Sequence, residues 1–289
     1  MRLTYALVTP AKDEVENLER LASSVLAQTV IPSRWVIVDN GSSDSTPDVA
    51  NALAAAHEWI IATSAPGTTT APGAPVVRAF NMGRELAGQP DVIVKLDADV
   101  SFEPDYFGRL LDEFEADPKL GIAGGVCFEL ENGEWVPRYV TGDHVRGATR
   151  AYRTECFREI GPLPEVVGWD GVDELKAHVL GWRTASVPTL RFFHHRAVGA
   201  RDGSRASRWL AEGRCAHYMG YGALYMLVRT VGRAGRDRDL AAFAMLWSYA
   251  AAAFRREPRY ADEAVRRHLR RQQSVRRLPL RVREALGRR

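Results

Sequence analysis

The chain has 289 residues, of which 46% are hydrophobic and 26% charged, and a formal net charge of +3. This composition is ordinary for a globular protein and excludes a disordered or fibrous chain, leaving one large α/β domain, or one domain with an appendage, as the expectation. The three cysteines, Cys127, Cys156 and Cys215, lack the paired spacing of a zinc site or disulfide framework, so we expect free thiols in a reducing compartment. The apolar run at the amino terminus is too short for a secretory signal, which predicts a cytoplasmic domain.

Positive charge is concentrated near the carboxyl end. The segment 255–289 holds thirteen arginines against four acidic residues, a net charge of +9, which leaves −6 for residues 1–254. We therefore expect a basic appendage on a mildly acidic body.

The first half of the chain alternates predicted strands and helices. The apolar run 3–8 predicts a strand that ends at Thr9 and Pro10, and apolar residues at helical spacing follow it. The second predicted strand, 35–38, ends on Asp39 and a turn rich in helix-capping residues. Repeated units of strand then helix predict a doubly wound, mostly parallel sheet.

Two aspartates one residue apart end the strand predicted over 92–96, and Pro104 predicts the start of a helix just beyond them. The carboxyl ends of parallel strands form the ligand-binding edge of such a sheet, so Asp97, Asp99 and Asp39 are expected to face one crevice. Neighbouring carboxylates are costly for folding unless a cation or strong hydrogen bonds neutralise them, which points to a divalent metal. The alternative is that Asp99 or Ser101 caps the helix while Asp97 faces solvent.

Three motifs, TPAKDEVENL, VDNGSSDST and KLDADV, occur in this order, each at the end of a predicted strand. Their order and spacing resemble the nucleotide-sugar-binding half of a family-2 glycosyltransferase with the GT-A fold. The resemblance implies an α/β fold: a Rossmann-like, doubly wound mixed sheet followed by a helical C-terminal segment. It implies a catalytic domain over 1–205, with a nucleotide-sugar half (1–100) and an acceptor half (101–205), and a helical basic extension over 206–289.

The resemblance also implies roles for individual residues. The donor would be bound by Thr9, Pro10, Glu14, Asp39, Arg78 and Asp97. A Mn²⁺ or Mg²⁺ ion would be held by Asp97, Asp99 and one of His194 and His195. The R-x-x-R-W stretch that contains Arg208 and Trp209 resembles a motif that holds acceptor and diphosphate in processive relatives. The alternatives are a local turn for Asp39 and a surface helix start for the R-x-x-R-W stretch.

Inverting members of this family have an acidic motif, most often Glu-Asp, before a helix of the acceptor half, and its aspartate is the general base. In the corresponding stretch, GWDGVDE, Trp169 stands where the glutamate is usual. Counting back from Gly181 assigns the base to Asp170, with Asp173 and Glu174 left open as alternatives. An acid in the first helical turn is stabilised by the helix dipole whatever its function, which is the structural explanation for Asp173.

The implied activity is metal-dependent, inverting transfer of a sugar from a nucleotide-diphosphate sugar to a hydroxyl of a saccharide or lipid-linked acceptor, in cell-envelope polysaccharide or glycolipid synthesis. One alternative is a sugar-nucleotide-binding domain without catalysis, because the usual Glu-Asp pair is missing. The other is a phosphatase of the haloacid dehalogenase type, because Asp97-x-Asp99-x-Val100 also matches its nucleophile motif. That motif belongs on the first core strand of the phosphatase, whereas here it follows about the fourth predicted strand.

Two apolar runs, 218–231 and 240–254, precede the basic segment. Both are too short to cross a membrane, which takes about twenty residues. Together with the +9 segment they predict reversible attachment to anionic lipid at the inner face of the plasma membrane. Nucleic acid is not expected, because base stacking needs aromatic residues and only Tyr260 follows Phe254. The alternatives are that the two apolar runs pack on the catalytic domain and that the basic segment is an arginine-rich solvated helix.

Overall fold

The computed structural model describes residues 2–65, 74–138, 144–166, 168–196 and 205–274. The chain forms two compact units, Met1–Ala197 and Val198–Arg289. The strands are β1 (Tyr5–Ala11), β2 (Arg34–Asp39), β3 (Ile60–Ser64), β4 (Val92–Leu96), β5 (Val100–Phe102), β6 (Leu120–Glu131), β7 (Glu134–Arg138), β8 (Thr149–Arg153) and β9 (Arg183–His194). The helices of the first unit are α1 (Val15–Leu26), α2 (Thr46–Ala56), α3 (Ala74–Leu86), α4 (Tyr106–Ala116), α5 (Thr154–Ile160) and α6 (Trp169–Val179).

The strands of the described residues form one mixed sheet in the order β3-β2-β1-β4-β8-β6-β9-β5, with β7 paired to β6. The first four strands in this order are parallel to one another. β8 runs antiparallel to both β4 and β6. β9 is parallel to β6 and antiparallel to β5. The predicted α/β architecture with a doubly wound mixed sheet is confirmed.

Apolar side chains cover both faces of the sheet. In β1, Tyr5 and Leu7 belong to the core layer that contains residues of α1, α2 and α4. The alternate residues, Ala6 and Val8, belong to the layer that contains residues of α3, α5 and α6. This two-sided burial explains why the parallel strands are continuous apolar runs, and it leaves their carboxyl ends as the place where polar side chains collect.

The segment after the two aspartates differs from the prediction. A short strand, β5, follows Asp99, and α4 begins only at Tyr106, so Pro104 precedes the helix rather than opening it. β5 forms because Val100 to Phe102 pair antiparallel with Phe192 to His194. The pairing brings the end of β9 to the aspartates. Because β9, the partner of β5, lies far away in the sequence, no local pattern indicated that β5 is a strand.

The second unit is helical, as predicted for the C-terminal segment. It contains α7 (Arg205–Met219), α8 (Ala223–Asp237), a 3-10 turn (Leu240–Ala242), α9 (Phe243–Phe254) and α10 (Glu263–Gln272). Its small core is formed by Ala216, Met226, Met245 and Tyr249. Among the described residues no helix is both long and apolar enough to cross a bilayer. Residues 275–289 of the predicted basic extension lie outside the described residues.

Candidate active site

Asp97 and Asp99 lie in the turn between β4 and β5, and each has different partners. The carboxylate of Asp97 accepts a hydrogen bond from the ammonium of Lys95, a buried side chain of the same strand. Its backbone N–H donates to the carbonyl of Ala148 over 2.8 Å, which fixes the turn. Burial raises the pKa of the Asp97 carboxyl, against the opposing charge of Lys95.

Asp99 is buried and faces two cations. Its Oδ1 lies 3.2 Å from His194 Nε2, and its Oδ2 lies 3.7 Å from Arg196 Nη1. Burial would raise the pKa of the Asp99 carboxyl, but the hydrogen bond and charge of His194 outweigh it and hold the pKa below its ordinary value. Burial likewise opposes the charge on His194, and Asp99 outweighs it, so the pKa of His194 is raised. Asp99 is therefore an anionic group that lies between two cationic side chains.

The two histidines at the end of β9 point to different neighbours. His194 pairs with Val100 across the β5–β9 ladder and reaches Asp99. His195 Nε2 lies 2.7 Å from Ser101 Oγ, and its ring packs edge-on against Trp135 at 5.3 Å. Successive side chains of a strand alternate in direction, so only one of the pair can face the aspartates. The geometry brings His194, not His195, to them.

The residues around Asp99 suit a hard divalent cation. Carboxylate oxygens with one imidazole form a donor set that fits Mn²⁺, and Mg²⁺ is held by carboxylates in the same way. The Nδ1 atom of His194 is buried and has no hydrogen-bond partner among the described residues, so the ring is not locked by a second contact. Cys127, Glu129 and His194 also offer ligand atoms within 4.8 Å of one another. Burial raises the pKa of the Cys127 thiol to about 12, however, which disfavours it as a ligand relative to carboxylates.

Glu14, predicted to bind the donor, is paired with Arg196. The two guanidinium nitrogens lie 2.7 and 2.6 Å from the two carboxylate oxygens, and Glu14 is buried. Bidentate pairs of this kind are stronger than hydrogen bonds between neutral groups, because both bonds are charge-assisted. Since Arg196 also approaches Asp99, the pair joins the loop after β1 to the metal-binding aspartate predicted from the sequence.

The residues predicted to hold the nucleoside lie at the ends of β1 and β2. Thr9 is fully buried, and its hydroxyl accepts from Trp35 Nε1 over 2.9 Å. Pro10 is half-buried at the end of β1. The carboxylate of Asp39 accepts from the backbone N–H groups of Gly41 and Ser42, both at 3.2 Å, as the turn alternative predicted. The side chains of Thr9 and Asp39 therefore have hydrogen-bond partners within the protein.

Arg78, predicted to face the diphosphate, lies on α3 and forms an ion pair with Glu165. Its Nη2 lies 2.7 Å from the carboxylate, and both side chains are more than a third exposed. An exposed pair of this kind contributes little to stability, so Arg78 can exchange Glu165 for another anion at small cost.

Asp170 lies in the first turn of α6, beside the Lys95–Asp97 pair. A Cβ atom on Gly147 would lie 3.7 Å from Asp170 Oδ2, and the carbonyl of Gly147 accepts from Lys95 Nζ over 3.0 Å. The ring of Trp169 lies 5.5 Å from the same ammonium. Within the described part of the chain, no hydrogen bond or ion pair engages the carboxylate of Asp170. It is therefore an ionisable group left available beside Gly147, whose carbonyl binds Lys95.

Asp173, the alternative base, is buried and fully engaged. Arg150, itself buried, places Nε 2.9 Å from Oδ2 and Nη2 2.8 Å from Oδ1 of this carboxylate. The hydroxyl of Tyr152 donates to Oδ2 over 2.6 Å. Burial raises the pKa of Asp173 to about 6, although Arg150 opposes the shift. These contacts indicate a structural role.

Glu174 belongs to the same network. It accepts from Arg150 Nη2 over 2.8 Å and from the backbone N–H of Val145 over 2.7 Å. His144 Nδ1 lies 2.9 Å from its other oxygen. Burial disfavours the charge on His144, but Glu174 outweighs it, so the pKa of His144 is raised. Arg150 thus anchors α6 to β8 through two carboxylates, which positions the preceding Asp170.

Sequence reasoning missed Lys95, Arg150 and Arg196. Lys95 interrupts an otherwise apolar buried strand directly before the aspartates, and Arg150 lies within a run of four consecutive buried residues in β8. A charged residue at an inward strand position requires a buried partner, and that is the signal that could have found both. Arg196 has no such signal, because it follows the end of β9.

Arg208 and Trp209, predicted from the R-x-x-R-W stretch, lie on α7 in the second unit. Trp209 Nε1 donates to Asp239 over 3.1 Å, and Arg233 lies 5.7 Å from its ring centre. Trp209 also packs against the apolar cluster of this unit. The indole therefore has a packing role within the second unit.

The chain resembles several glycosyltransferases in fold and sequence. It is 23% identical over 201 residues to a glucosyl-dolichyl phosphate glucuronosyltransferase of Haloferax volcanii, a match that covers 62% of this chain and 61% of that protein. The mannosyltransferase PcManGT of Pyrobaculum calidifontis, solved with GDP-mannose and Mn²⁺, superposes with a TM-score of 0.58 at 16% identity, over 99% of this chain and 87% of that one. S. aureus TarS (residues 1–349), solved with UDP-GlcNAc, gives 0.57 at 15% identity, over 74% of this chain and 66% of that one.

At these identities the two structures bear on the fold, and both share the curled mixed sheet flanked by helices that is characteristic of GT-A glycosyltransferases. The family model for glycosyl transferase family 2 matches residues 6–161, which contain β1 apart from its first residue, β2, the two aspartates and the buried arginine of β8. With more than half of its length matched by that model, the chain belongs to glycosyl transferase family 2.

Proposed function

We propose that this protein transfers a sugar from a nucleotide-diphosphate sugar to a hydroxyl acceptor, with inversion at the anomeric carbon, using Mn²⁺ or Mg²⁺. The observation that carries the proposal is the contrast at the start of α6. Asp170 has no hydrogen-bond or ion-pair partner among the described residues, whereas Asp173 and Glu174 are engaged by Arg150. A group that must take a proton from substrate needs this freedom.

The cation would be held by Asp99 and His194, with Asp97 beside them at the same turn. Bound there, the cation would act as a Lewis acid that stabilises the negative charge developing on the diphosphate leaving group. Support for the metal comes from the fit of this donor set and from the Mn²⁺ in the PcManGT structure. The exposed Arg78 provides a second cation that can exchange Glu165 for a phosphate oxygen.

In the proposed reaction, Asp170 takes the proton of the acceptor hydroxyl as the oxygen attacks the anomeric carbon from the face opposite the nucleotide. The new bond from carbon to the acceptor oxygen forms while the bond to the diphosphate oxygen breaks, and that oxygen keeps the electron pair. One displacement of this kind inverts the configuration. Lys95 compensates the charge of Asp97 throughout, so that the acids of the site do not repel the donor.

For the acceptor we propose a lipid-linked saccharide or lipid phosphate of the cell envelope, used at the inner face of the plasma membrane. This is supported by the H. volcanii relative, whose name states a glucosyl-dolichyl phosphate substrate. The match spans 61% of that relative, so the acceptor itself is open to experiment. The phosphatase alternative loses its support, because the two aspartates fall within the glycosyl transferase family match.

The test is stabilisation of the protein by a panel of nucleoside diphosphates with Mn²⁺ and with a chelator. A ligand at a hundred times its Kd adds about 2.7 kcal/mol to the free energy of unfolding. We expect one or two nucleotides to raise the melting temperature with Mn²⁺ only. The matching nucleotide sugars are then assayed for transfer to polyprenyl phosphate and saccharide acceptors. Nucleotide binding without transfer to any acceptor would favour the non-catalytic alternative.

A further inference from the structure

Two helices of the second unit turn apolar side chains toward solvent. Where exposure is described, the exposed residues of α8 recur at helical spacing and are Ala223, Leu224, Leu227, Val231, Gly232 and Gly235. Those of the 3-10 turn and α9 are Leu240, Phe243, Trp247, Ala250 and Phe254. None of them is charged. We call these two stripes the outer apolar surface.

This pattern is the reverse of an ordinary surface helix, which buries its apolar stripe and exposes charges. Phe254, Leu240 and Trp247 are 90%, 80% and 73% exposed. The inner side of α9 is apolar as well, with Met245 and Tyr249 buried in the core of the unit. A helix that is apolar all round is normally surrounded by apolar groups on every side, whereas one side of α9 is exposed.

We propose that the outer apolar surface docks into the interfacial layer of an anionic lipid bilayer. The proposal rests on the membrane location within the proposed function and assigns it to a surface. The exposed Arg255 and Arg256 follow Phe254 directly, and they begin the segment of net charge +9. Apolar stripes bordered by arginines match a bilayer interface, where acyl chains meet anionic headgroups. Trp247 adds a side chain that favours this depth.

The main competing occupant is a second copy of the chain. A symmetric dimer would bury the same patch of both copies, so the arginines that border each patch would all be collected at one interface. Like charges brought together at an interface disfavour association. Anionic headgroups neutralise the same arginines, so charge complementarity selects lipid. The described helices are too short to span, so the docked state is peripheral.

The experiment is co-sedimentation of the full chain with vesicles of phosphatidylcholine, alone or mixed with phosphatidylglycerol, at low and high salt. We expect binding to the mixed vesicles that weakens with salt. The triple variant Leu240→Gln, Trp247→Gln, Phe254→Gln removes three large apolar side chains, and we expect its partition to fall about tenfold or more. The control changes three exposed apolar residues of the first unit, which are 48%, 57% and 49% exposed: Ile31→Gln, Leu130→Gln, Leu180→Gln. We expect it to bind like the wild type.

A second readout reports whether the indole inserts among the acyl chains, which co-sedimentation alone does not show. Lipids brominated on the acyl chain quench indoles that insert, so we expect quenching of the wild type and much less in Trp247→Phe. The proposal is overturned if the wild type does not bind mixed vesicles at low salt, or if the triple variant binds like the control. It is also overturned if light scattering without lipid shows a dimer that the triple variant converts to monomer while vesicle binding is unchanged.

The vesicle-binding experiment and the test of the proposed function can fail independently of each other. Stabilisation by a nucleoside diphosphate with Mn²⁺ is measured on the same variants, and we expect it to be unchanged, which also shows that they fold. Loss of vesicle binding with intact nucleotide binding assigns the effect to the surface. A wild type that binds vesicles but no nucleotide would overturn the transferase proposal alone.

Discussion

Arg150 and Asp173 form a buried bidentate ion pair, with guanidinium nitrogens 2.9 and 2.8 Å from the two carboxylate oxygens. Arg150 also donates over 2.7 Å to the backbone carbonyl of Asp170. The same guanidinium therefore holds one aspartate of α6 by its side chain and the other by its backbone. The backbone of Asp170 is fixed while its carboxylate stays available.

Replacing Arg150 by methionine is expected to destabilise the fold strongly. Asp173 and Glu174 would lose their shared countercharge in a buried site, and breaking a buried pair typically costs about 3–5 kcal/mol. The free energy of unfolding from urea titration measures this. The matched control is Arg109→Met, which removes an exposed ion pair to Asp105 and is expected to change stability by at most about 1 kcal/mol. Equal effects of the two substitutions would contradict a buried network at α6.

The His144–Glu174 pair predicts a pH-dependent contribution to stability. The pKa of His144 is raised in the folded protein, because Glu174 outweighs the effect of burial. Folding therefore favours the charged imidazole, and this contribution is complete below the ordinary pKa of about 6.5 and is lost as pH rises through the folded-state value. We expect the wild type to exceed His144→Gln in stability by more at low pH than at high pH. A difference between the two proteins that does not change from about pH 5.5 to about pH 8.5 would contradict the pair.

The apolar runs and turn residues were enough to predict the parallel half of the sheet and the position of the two aspartates. Buried strands show as continuous apolar segments, and Asp39 and Asp97 follow two of them. Strand β5 was missed because three residues carry little local signal, and its pairing with β9 depends on a distant segment.

Side-chain partners were harder to predict than elements. Glu14 and Arg196 are 182 residues apart, and their bidentate pair exists only because β9 ends beside the loop after β1. Likewise, whether His194 or His195 faces Asp99 depends on the register of β5 against β9. Neither the adjacent sequence nor composition contains that register. The candidate site could therefore be located from the sequence, but its internal pairing could not.

Metal dependence of nucleotide binding is expected to require Asp99 and His194. With Asp99→Asn or His194→Gln, too few metal ligands remain, and we expect the affinity for a nucleoside diphosphate in Mn²⁺ to fall at least about tenfold, toward its value in chelator. Isothermal titration calorimetry with Mn²⁺ and with EDTA measures both affinities.

His195→Gln is the matched control for that experiment, because its ring contacts Ser101 and Trp135 instead of the aspartates. We expect its affinity in Mn²⁺ to stay within about threefold of the wild type, a difference of less than 1 kcal/mol. If His195→Gln loses metal dependence and His194→Gln does not, the assignment of the histidines is reversed. Equal affinities of the wild type in Mn²⁺ and in EDTA would refute a metal role altogether.

Asp170→Asn is expected to bind the nucleotide donor normally and to lose transfer. The substitution keeps size and removes the group that takes the acceptor proton, and a general base contributes about 10²–10⁴-fold to the rate. Because this carboxylate has no ion-pair or hydrogen-bond partner among the described residues, we expect little change in stability.

Asp173→Asn is the comparison, since its carboxylate is occupied by Arg150 and Tyr152. We expect it to lower the melting temperature and to retain transfer in the fraction that stays folded. Transfer rates per folded molecule, with nucleotide affinity measured in parallel, separate the two roles. If Asp173→Asn loses transfer at full nucleotide affinity while Asp170→Asn keeps it, the base is the buried aspartate and the availability of Asp170 has another cause.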